Sequence, residues 1–438
     1  MTLTTILRRW APRTFVLLPL LALIPRAEAM PNWARKYSAD CSMCHTTVPA
    51  LNETGYDFRK AGFRLTSEIY RLDGTKASKD APAKTTMDNA YTARIQARYD
   101  SSHTDTGTNP ANNQSTNQTT FFETTFYPIS GSFGKYLGSL VELSLAPGDV
   151  VETENAYLRF TAGDENSWFN ARIGVFHPFE GYGASDRPFS IDRPFMQTSP
   201  AKSSYFKPWG FDQAGVEASY VYKRTTISLT MFNGVMVHEE DGALIADPAQ
   251  GGSWSKKSSF KNYNTKDYQL FLNQILDEKG SGVSLYYYTG TMDQPIPGTA
   301  PDAFAPATSY ENKYTRTAVY ASWVPTLKAQ IRAGYQVGKD KAYLTGATYK
   351  SKGYFGELAS SPSERLTVGA RYDRFQPTDV ATNVDKSGIT AYANIPFNDG
   401  FQLIAQYQNV TTQQGVVAGV NAADKKENKF QIRFIWIY

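Results

Sequence analysis

The chain has 438 residues, a formal net charge of +4 from 45 basic and 41 acidic residues, and a mean hydropathy of −0.43. The low hydropathy excludes a bundle of membrane-spanning helices, and the near balance of the two charge signs gives no indication of nucleic-acid binding. The two cysteines stand close together in the chain, which excludes a multi-disulfide scaffold. The 28 Tyr and 25 Phe are typical of a protein with aromatic girdles at two membrane interfaces.

The first 29 residues have the pattern of a signal peptide. A basic stretch that ends at Arg13 precedes an apolar run at 15–24, and residues 27–29 read Ala-Glu-Ala, the pattern of a cleavage site. The apolar run is shorter than the about 20 residues that a membrane-spanning helix needs. We therefore expect export, with a mature chain that begins at Met30.

The chemistry of the chain is concentrated at residues 41–45, which read Cys-Ser-Met-Cys-His. In a C-x-x-C-H motif the two thiols attach a haem through thioether bonds, and the histidine that follows becomes the proximal ligand of the iron. The motif predicts one covalently attached haem c, bound through Cys41 and Cys44, with His45 on the iron. A redox-active dithiol, a disulfide hairpin and half of a zinc site are the alternatives. A zinc site would need a second pair of ligands, and a thioredoxin-like site would need a surrounding βαβ pattern.

The sequence does not identify the distal ligand of the iron. Met87 is a weak candidate, since it follows the motif at a plausible distance and methionine is a common distal ligand. Met30, His103 and His177 are further options, and a five-coordinate iron is another.

From residue 88 onward the sequence alternates with period two, as in the run 91–99, where tyrosine, alanine and isoleucine alternate with threonine, arginine and glutamine. The pattern recurs through residues 401–408 and 430–438. We expect short turns at 223–224, 277–281, 325–326, 360–364 and 396–400. Long polar loops are expected at 101–118, 178–212, 234–265, 291–312, 338–352, 376–385 and 411–426. Short turns on one side and long loops on the other indicate an outer-membrane barrel, and a soluble β-sandwich is the alternative.

The predicted fold is therefore mainly β: a short helical N-terminal c-type haem segment, followed by a transmembrane antiparallel β-barrel of about 16 strands. The predicted organisation is a signal peptide at 1–29, a monohaem cytochrome c segment at 30–70, a linker at 71–88 and a porin-like barrel at 89–438. An even number of strands returns both ends of the barrel to the periplasm. The longest loop, 178–212, follows the fifth strand and is expected to fold inward.

Several arginines are expected to face the barrel lumen: Arg94, Arg98, Arg172, Arg316, Arg332, Arg371 and Arg433. One interpretation is an ordinary charged lumen, balanced by acids such as Glu142 and Glu217. The other is that some of these arginines pair with the haem propionates.

The residues around the motif also resemble a known family. Met-Pro-Asn-Trp-Ala-Arg-Lys-Tyr at 30–37, the motif itself, Pro-Ala-Leu-Asn at 49–52 and Gly-Tyr-Asp-Phe-Arg at 55–59 resemble the haem segment of fused monohaem cytochrome–porins. The best-known members of that family are outer-membrane iron oxidases of Fe(II)-oxidising bacteria. The detailed resemblance covers about residues 30–65, and the barrel is similar in architecture alone.

The resemblance implies an electron conduit that takes single electrons from extracellular Fe(II) and passes them to a periplasmic electron-transfer cytochrome. The chain would lie in the lipid of the outer membrane, with its haem segment in the periplasm or in the lumen. The resemblance leaves open whether the chain acts as an Fe(II) oxidase. The alternatives are outward or shuttle-dependent electron transfer, and a solute-diffusion porin with a haem-bearing plug. A soluble haem peroxidase would need a distal His–Arg pair, which residues 30–90 do not offer.

Overall fold

The computed structural model of the chain describes residues 32–76, 86, 89–107, 113–145, 151–178, 188–202, 204, 206–208, 213–234, 266–295, 309–341, 346–363, 365–379, 384–398, 400–413, 416–417, 420–421 and 423–437. The predicted signal peptide and the two methionines proposed as distal ligands, Met30 and Met87, lie outside these residues. Among the described helices, none has the length and apolar composition needed to cross a membrane.

Residues 32–76, the N-terminal segment, hold most of the described helix. Its elements are α1 (Asn32–Tyr37), a 3₁₀ helix (Cys41–Met43), β1 (His45–Thr47), β2 (Ala50–Leu51), α2 (Glu53–Lys60) and a second 3₁₀ helix (Thr66–Glu68). Residues 71–76, the start of the predicted linker, form a turn closed by a bridge between Tyr70 and Lys76. Tyr136 of the barrel donates a hydrogen bond to the carbonyl of Arg71 (2.9 Å), so this part of the predicted linker is held against the barrel.

The rest of the described chain forms a closed antiparallel barrel. Its strands are β3 (Thr92–Asp105), β4 (Gln114–Tyr127), β5 (Ser130–Phe133), β6 (Leu137–Leu145), β7 (Glu152–Asp164), β8 (Ser167–Phe176), β9 (Gln213–Tyr222), β10 (Thr225–Phe232), β11 (Asp267–Ile275), β12 (Gly282–Pro295), β13 (Ser309–Thr326), β14 (Ala329–Lys341), β15 (Thr348–Ser363), β16 (Leu366–Gln376), β17 (Lys386–Asn398), β18 (Phe401–Thr412) and β21 (Lys425–Ile437). Two short strands, β19 (Val416–Val417) and β20 (Val420–Asn421), pair separately, and α3 (Phe195–Thr198) lies between β8 and β9.

The predicted count of strands is confirmed at 16 positions around the barrel, because β4 and β5 share one position. Thr124 of β4 pairs with Leu145 at one end of β6, and Ser130 of β5 pairs with Leu140 nearer the other end. Pro128 lies at the break between the two strands, where its lack of a backbone N–H interrupts the ladder of hydrogen bonds.

The alternation of the sequence maps onto the two faces of the barrel wall. In β10 the hydroxyl side chains of Thr226 and Ser228 are 0% exposed, whereas Ile227 and Leu229 are 45% and 60% exposed. The polar face therefore points into the lumen and the apolar face points outward, as in a barrel surrounded by lipid.

The connections also alternate in length. Short turns join the strands at one end, at 134–136, 165–166, 223–224, 276–281, 327–328, 364–365 and 399–400, and β3 begins and β21 ends at this same end. The connections at the other end are mostly longer, but 146–151, which the pattern did not predict, and 342–347 have six residues each, as does the turn at 276–281. The loop predicted at 101–118 was too wide, because 101–105 and 114–118 belong to β3 and β4. The loops predicted at 291–312 and 338–352 were too wide for the same reason, since their edges belong to β12, β13, β14 and β15. The turn predicted at 325–326 lies two residues later.

The N-terminal segment docks inside the barrel at the end with the short turns. Arg159 on the lumenal face of β7 donates hydrogen bonds to the carbonyls of Arg59 and Lys60, each at 3.2 Å. Gly62 lies so close to Gly138 of β6 that a Cβ on Gly138 would be 2.2 Å from the Gly62 carbonyl oxygen. The backbones are therefore in direct contact.

The described part of 188–208, the inserted segment, belongs to the connection that follows the fifth strand position, and it folds into the lumen as predicted. Arg371 donates a hydrogen bond to the carbonyl of Asp192 (2.9 Å), and Gln336 donates one to the carbonyl of Met196 (2.9 Å). Phe195 and Met196 are buried against the inner wall. Two segments therefore enter the lumen, one from each end.

Candidate functional site

The five-residue motif is held in a compact loop by local hydrogen bonds. The carboxylate of Asp40 caps the 3₁₀ helix of Cys41–Met43 by accepting a hydrogen bond from the backbone N–H of Ser42 (3.0 Å). His45 follows at the start of β1. Both cysteines are half-buried and no disulfide joins them, so the structure does not favour the disulfide hairpin.

Asn52 and Gly55 fix the other side of this loop. The N–H of Asn52 donates to the carbonyl of Cys44 (3.0 Å), and its side-chain amide donates to the carbonyl of Met43 (3.1 Å). The amide oxygen of Asn52 accepts from the N–H of Gly55 (2.9 Å) and so caps α2. A Cβ at Gly55 would lie 2.1 Å from the carbonyl oxygen of Cys44, which leaves room for glycine alone.

The two cysteines and His45 line one cavity of about 550 Å³ inside the barrel. This volume lies within the range of about 300–1,000 Å³ that is usual for cofactor and ligand sites. The N-terminal segment supplies apolar walls, in which Trp33 stacks on Phe63 with ring centroids 4.8 Å apart and meets Phe58 edge-on at 5.8 Å. The barrel supplies further apolar side chains, among them Leu140, Ile404, Ile435 and Ile437.

The thiol chemistry of the motif differs from that of a redox-active dithiol. Burial, reinforced by the neighbouring Cys41, raises the pKa of the Cys44 thiol to about 11. Catalytic and redox-active cysteines have lowered pKa values, because the thiolate is their reactive form. The raised pKa of Cys44 is therefore unlike that of a redox-active dithiol. Among the described residues there is also no group of three or more metal-binding side chains of the kind that zinc would need.

His45 is prepared to act as a ligand in its neutral form. Burial lowers the pKa of its imidazole, although the carbonyls of Pro49 and Ala50 partly oppose this effect. The Nδ1 atom is buried and makes no hydrogen bond of standard geometry with the described residues. A neutral imidazole offers a lone pair to a metal, so the donor set of two thiols and one imidazole fits haem c.

One part of the cavity wall is charged. Arg94 of β3 and Arg433 of β21 line it, together with Arg193 of the inserted segment and Glu142 of β6. Glu142 accepts hydrogen bonds from the Tyr127 hydroxyl (2.6 Å) and from the side-chain amide of Asn155 (2.7 Å). Asp40 and Arg59 of the N-terminal segment also line the cavity, and a mostly apolar lining with several charged groups suits an amphiphilic cofactor.

The other proposed distal ligands lie elsewhere. His103 is exposed near the outer end of β3, where its Nδ1 lies 2.8 Å from the hydroxyl of Ser115. His177 is absent from the described cavity lining, in which the only methionine is Met43, a member of the motif itself. The structure thus places the three predicted attachment residues on one cavity, and neither His103 nor His177 belongs to its described lining.

Sequence reasoning missed the residues that close the cavity from the side of the long loops. These are Pro188, Ser190, Ile191 and Arg193 of the inserted segment. The predicted inward folding of 178–212 indicated that some residues of this loop lie in the lumen. The sequence does not specify which of them reach the motif.

No protein-family model and no curated protein matches the sequence. Among solved structures, the chain is similar to the outer membrane channel DcaP of Acinetobacter baumannii, with a TM-score of 0.50 and 10% identity, over 80% of this chain and 97% of that chain. OmpT, an outer membrane protein of Vibrio cholerae, gives a TM-score of 0.49 at 12% identity, over 81% of this chain and 99% of that chain. OprB of Pseudomonas putida gives 0.49 at 11% identity, over 80% and 95%. Identity this low shows the fold alone. The chain therefore has the fold of a porin-like β-barrel of the bacterial outer membrane.

Proposed function

We propose that the chain is an outer-membrane electron conduit in which one haem c carries single electrons across the barrel. The observation that carries this proposal is the position of Cys41, Cys44 and His45 on one cavity inside the lumen. A C-x-x-C-H motif in an exposed loop would have no apolar site for the porphyrin.

Each of the three residues of the motif would have its own role in binding the cofactor. Cys41 and Cys44 would form the two thioethers, and His45 would be the proximal ligand. When bound, haem supplies reversible one-electron chemistry. Asn52 and Gly55 keep the motif loop closed, so the thiols and the imidazole stay on the same side of the cavity.

The surrounding side chains would set the polarity of the site. Trp33, Phe58 and Phe63 form an apolar wall, and the inserted segment lies between the cavity and the long loops. Exclusion of bulk water lowers the local dielectric, which is one of the means by which a protein tunes the reduction potential of a haem.

The position inside the lumen suits transfer between the two sides of the membrane. The apolar band of an outer-membrane barrel is about 25 Å tall, and lipid insulates it, so a single haem has to sit in the lumen to serve both sides. Phe58 and Phe63 of the cavity wall belong to one contiguous apolar cluster with Tyr288 and Tyr314 of the inner barrel wall. This cluster fills part of the lumen between the N-terminal segment and the inner barrel wall.

The resemblance to cytochrome–porins supplies the proposed donor and acceptor. Extracellular Fe(II) would give one electron, and a periplasmic electron-transfer cytochrome would receive it. Under this proposal the chain has Fe(II) oxidase activity, and the ferric product, which is poorly soluble near neutral pH, forms outside the cell. A reduced shuttle as donor, or electron flow outward, would use the same site.

A second candidate is a solute-diffusion porin whose haem segment is a plug. The similarity to the fold of the DcaP channel favours it. The two candidates differ in the state of the lumen, since a conduit needs a filled lumen and a diffusion porin needs an open one. The N-terminal and inserted segments, which both enter the lumen, support the conduit.

The test is stopped-flow visible spectroscopy of the haem-loaded protein in liposomes, with Fe(II) added outside only. Rapid appearance of the reduced haem bands is the expected result. The Cys44→Ala variant should lose the signal, and Ser42→Ala, which changes a neighbouring residue without a proposed ligand role, should keep it.

Planar-bilayer conductance of the same preparation separates the two candidates. If dithionite reduces the haem, external Fe(II) does not, and the open conductance is large, the conduit is rejected in favour of the solute-diffusion porin. If a reduced quinone shuttle reduces the haem, external Fe(II) does not, and the conductance is low, the chain is still a conduit but its electron donor is the shuttle.

A further inference from the structure

The lumenal arginines fall into two groups. Five of the seven predicted from the sequence have a carboxylate partner within 4.0 Å: Arg98 with Asp100, Arg172 with Glu217, Arg316 with Asp340, Arg332 with Glu357, and Arg371 with Asp373. These five support the interpretation of an ordinary charged lumen. The other two, Arg94 and Arg433, have no such partner among the described residues, and they are the two of the seven that line the cavity.

Arg94 is buried without a compensating charge. It is 9% exposed, its Nη2 donates to the Thr125 hydroxyl (2.7 Å), and its Nε makes no hydrogen bond with the described residues. The Nε of Arg433 is buried and equally without a partner. A guanidinium does not lose its proton in a protein, and a buried charge without a partner is strongly destabilising. Among the described residues, neither guanidinium therefore has a carboxylate within ion-pair distance, and Glu123 and Asp192 act on the charge of Arg433 only from farther away.

The register of the barrel shows how far apart the two positions are. Arg94 pairs with Ile437, and Arg433 pairs with Arg98, so the two arginines are offset by four residues on neighbouring strands. At about 3.4 Å per residue this offset is roughly 14 Å along the strands. The two guanidinium groups therefore come from separate positions of the wall, and each can bind one carboxylate of a ligand that carries two.

We propose that Arg94 and Arg433 form a dicarboxylate site on the cavity wall, in which each guanidinium pairs with one propionate of haem c. Guanidinium groups bind carboxylates through paired N–H donors, and this geometry also orients the ligand. This inference rests on the proposed function, because it requires haem in the cavity. The pairing fixes the porphyrin with its propionates toward β3 and β21.

The pairing has an electrochemical consequence. Ferric haem carries one more positive charge than ferrous haem, so a nearby cation favours the reduced form and raises the reduction potential. Loss of the arginines should lower that potential. It should also make the potential depend on pH near neutrality, because propionates without a cationic partner have higher pKa values.

The test is a spectroelectrochemical titration of the haem-loaded protein from pH 5 to pH 9. The variants are Arg94→Gln, Arg433→Gln and the double variant. Arg98→Gln is the matched control, since Arg98 lies on the same face of β3, is paired with Asp100 and does not line the cavity. We expect the ratio of reduced to oxidised haem at a fixed potential to fall about tenfold in the double variant, which is 59 mV for one electron.

Each single variant should show a smaller fall, Arg98→Gln should change the ratio less than twofold, and Arg94→Lys should restore part of the loss. Covalent haem staining on a denaturing gel should be equal in all variants, because the thioethers do not depend on the arginines. An unchanged potential in the haem-loaded double variant, or an equal fall in Arg98→Gln, would overturn the inference while leaving the proposed function intact.

Wild-type protein without covalent haem after maturation would reject the proposed function, and this inference with it. A diffusible dicarboxylate is the other source of the same chemistry. If succinate blocks ion current through the haem-free Cys41→Ser/Cys44→Ser protein only when Arg94 is present, and the potential of the loaded double variant is unchanged, the arginine site takes solutes. The pairing with the haem propionates is then wrong, and the attachment of haem at the motif is unaffected.

Discussion

Glu53 of the N-terminal segment and Arg224 of the turn between β9 and β10 form a bidentate ion pair. Arg224 Nε lies 2.8 Å from one carboxylate oxygen of Glu53, and Nη2 lies 2.7 Å from the other. Glu53 opens α2, directly after the residue that closes the motif loop. This pair therefore ties the proposed haem site to the rim of the barrel.

Replacement of Arg224 by alanine should loosen the N-terminal segment. The side chains are 37% and 23% exposed, so the pair is worth about 0.2–1 kcal/mol, and protease cleavage within 32–76 should become up to roughly fivefold faster. Lys328→Ala, at another short turn, is the control. The exchange Glu53→Arg/Arg224→Glu should restore protection, and failure to restore it would show that the pair does not hold the segment.

Gly55→Ala should impair haem attachment. Its Cβ would meet the carbonyl oxygen of Cys44 at 2.1 Å, and relief of such a clash costs about 1–3 kcal/mol. Covalent haem per protein, measured from the Soret absorbance and from staining on a denaturing gel, should fall by at least half. Gly356→Ala places its Cβ in open space and should keep full loading. Full loading of Gly55→Ala would mean that the closed motif loop is not needed for attachment.

Docking of the N-terminal segment should weaken as pH rises. Burial, together with Glu53, raises the pKa of Asp57 to about 7, while Arg224 acts in the opposite direction. A group whose pKa is raised by docking stabilises the docked state fully at a pH below its free value of about 3.9. This stabilisation is lost as pH rises from there to about 7, with at most about a tenfold change in the docking equilibrium for each pH unit.

The measurement is the rate of protease cleavage within 32–76 between pH 4 and pH 8, with a protease active across that range. Asp57→Asn should abolish the pH dependence and stay protected at pH 8. A wild-type rate that is constant with pH would show that Asp57 titrates normally in the docked segment.

Asp373→Ala should release the inserted segment and open the lumen. The carboxylate of Asp373 accepts from Arg371 Nε (2.7 Å) and from the N–H of Phe195 (3.3 Å). Removal of one partner from a buried ion pair costs about 3–5 kcal/mol. Single-channel conductance in planar bilayers should rise at least twofold. Asp379→Ala, which removes an exposed carboxylate at the end of the same hairpin, should leave it unchanged.

The fold could be predicted from the sequence because period-two alternation is a local property of each strand. The 16 positions and the sidedness of the turns followed from it, whereas the inward folding of 178–212 was predicted from the loop at the same position in porins. The break at Pro128 was not predicted, since β4 and β5 share one partner strand and that relation is not local. The edges of the loop predicted at 101–118 were wrong because polar residues in a strand beyond the lipid resemble loop residues.

The attachment residues Cys41, Cys44 and His45 followed from the sequence alone, because thioether chemistry fixes their types and their spacing. The sequence also placed arginines on the lumenal face. It did not distinguish Arg94 and Arg433 from the five that have carboxylate partners. Those partners lie two residues away on the same strand or on the next strand, and only the side-chain geometry decides whether they come within reach. The tertiary structure decided this pairing and the enclosure of the motif in a lumenal cavity, since closure of the barrel is what brings β3 and β21 together.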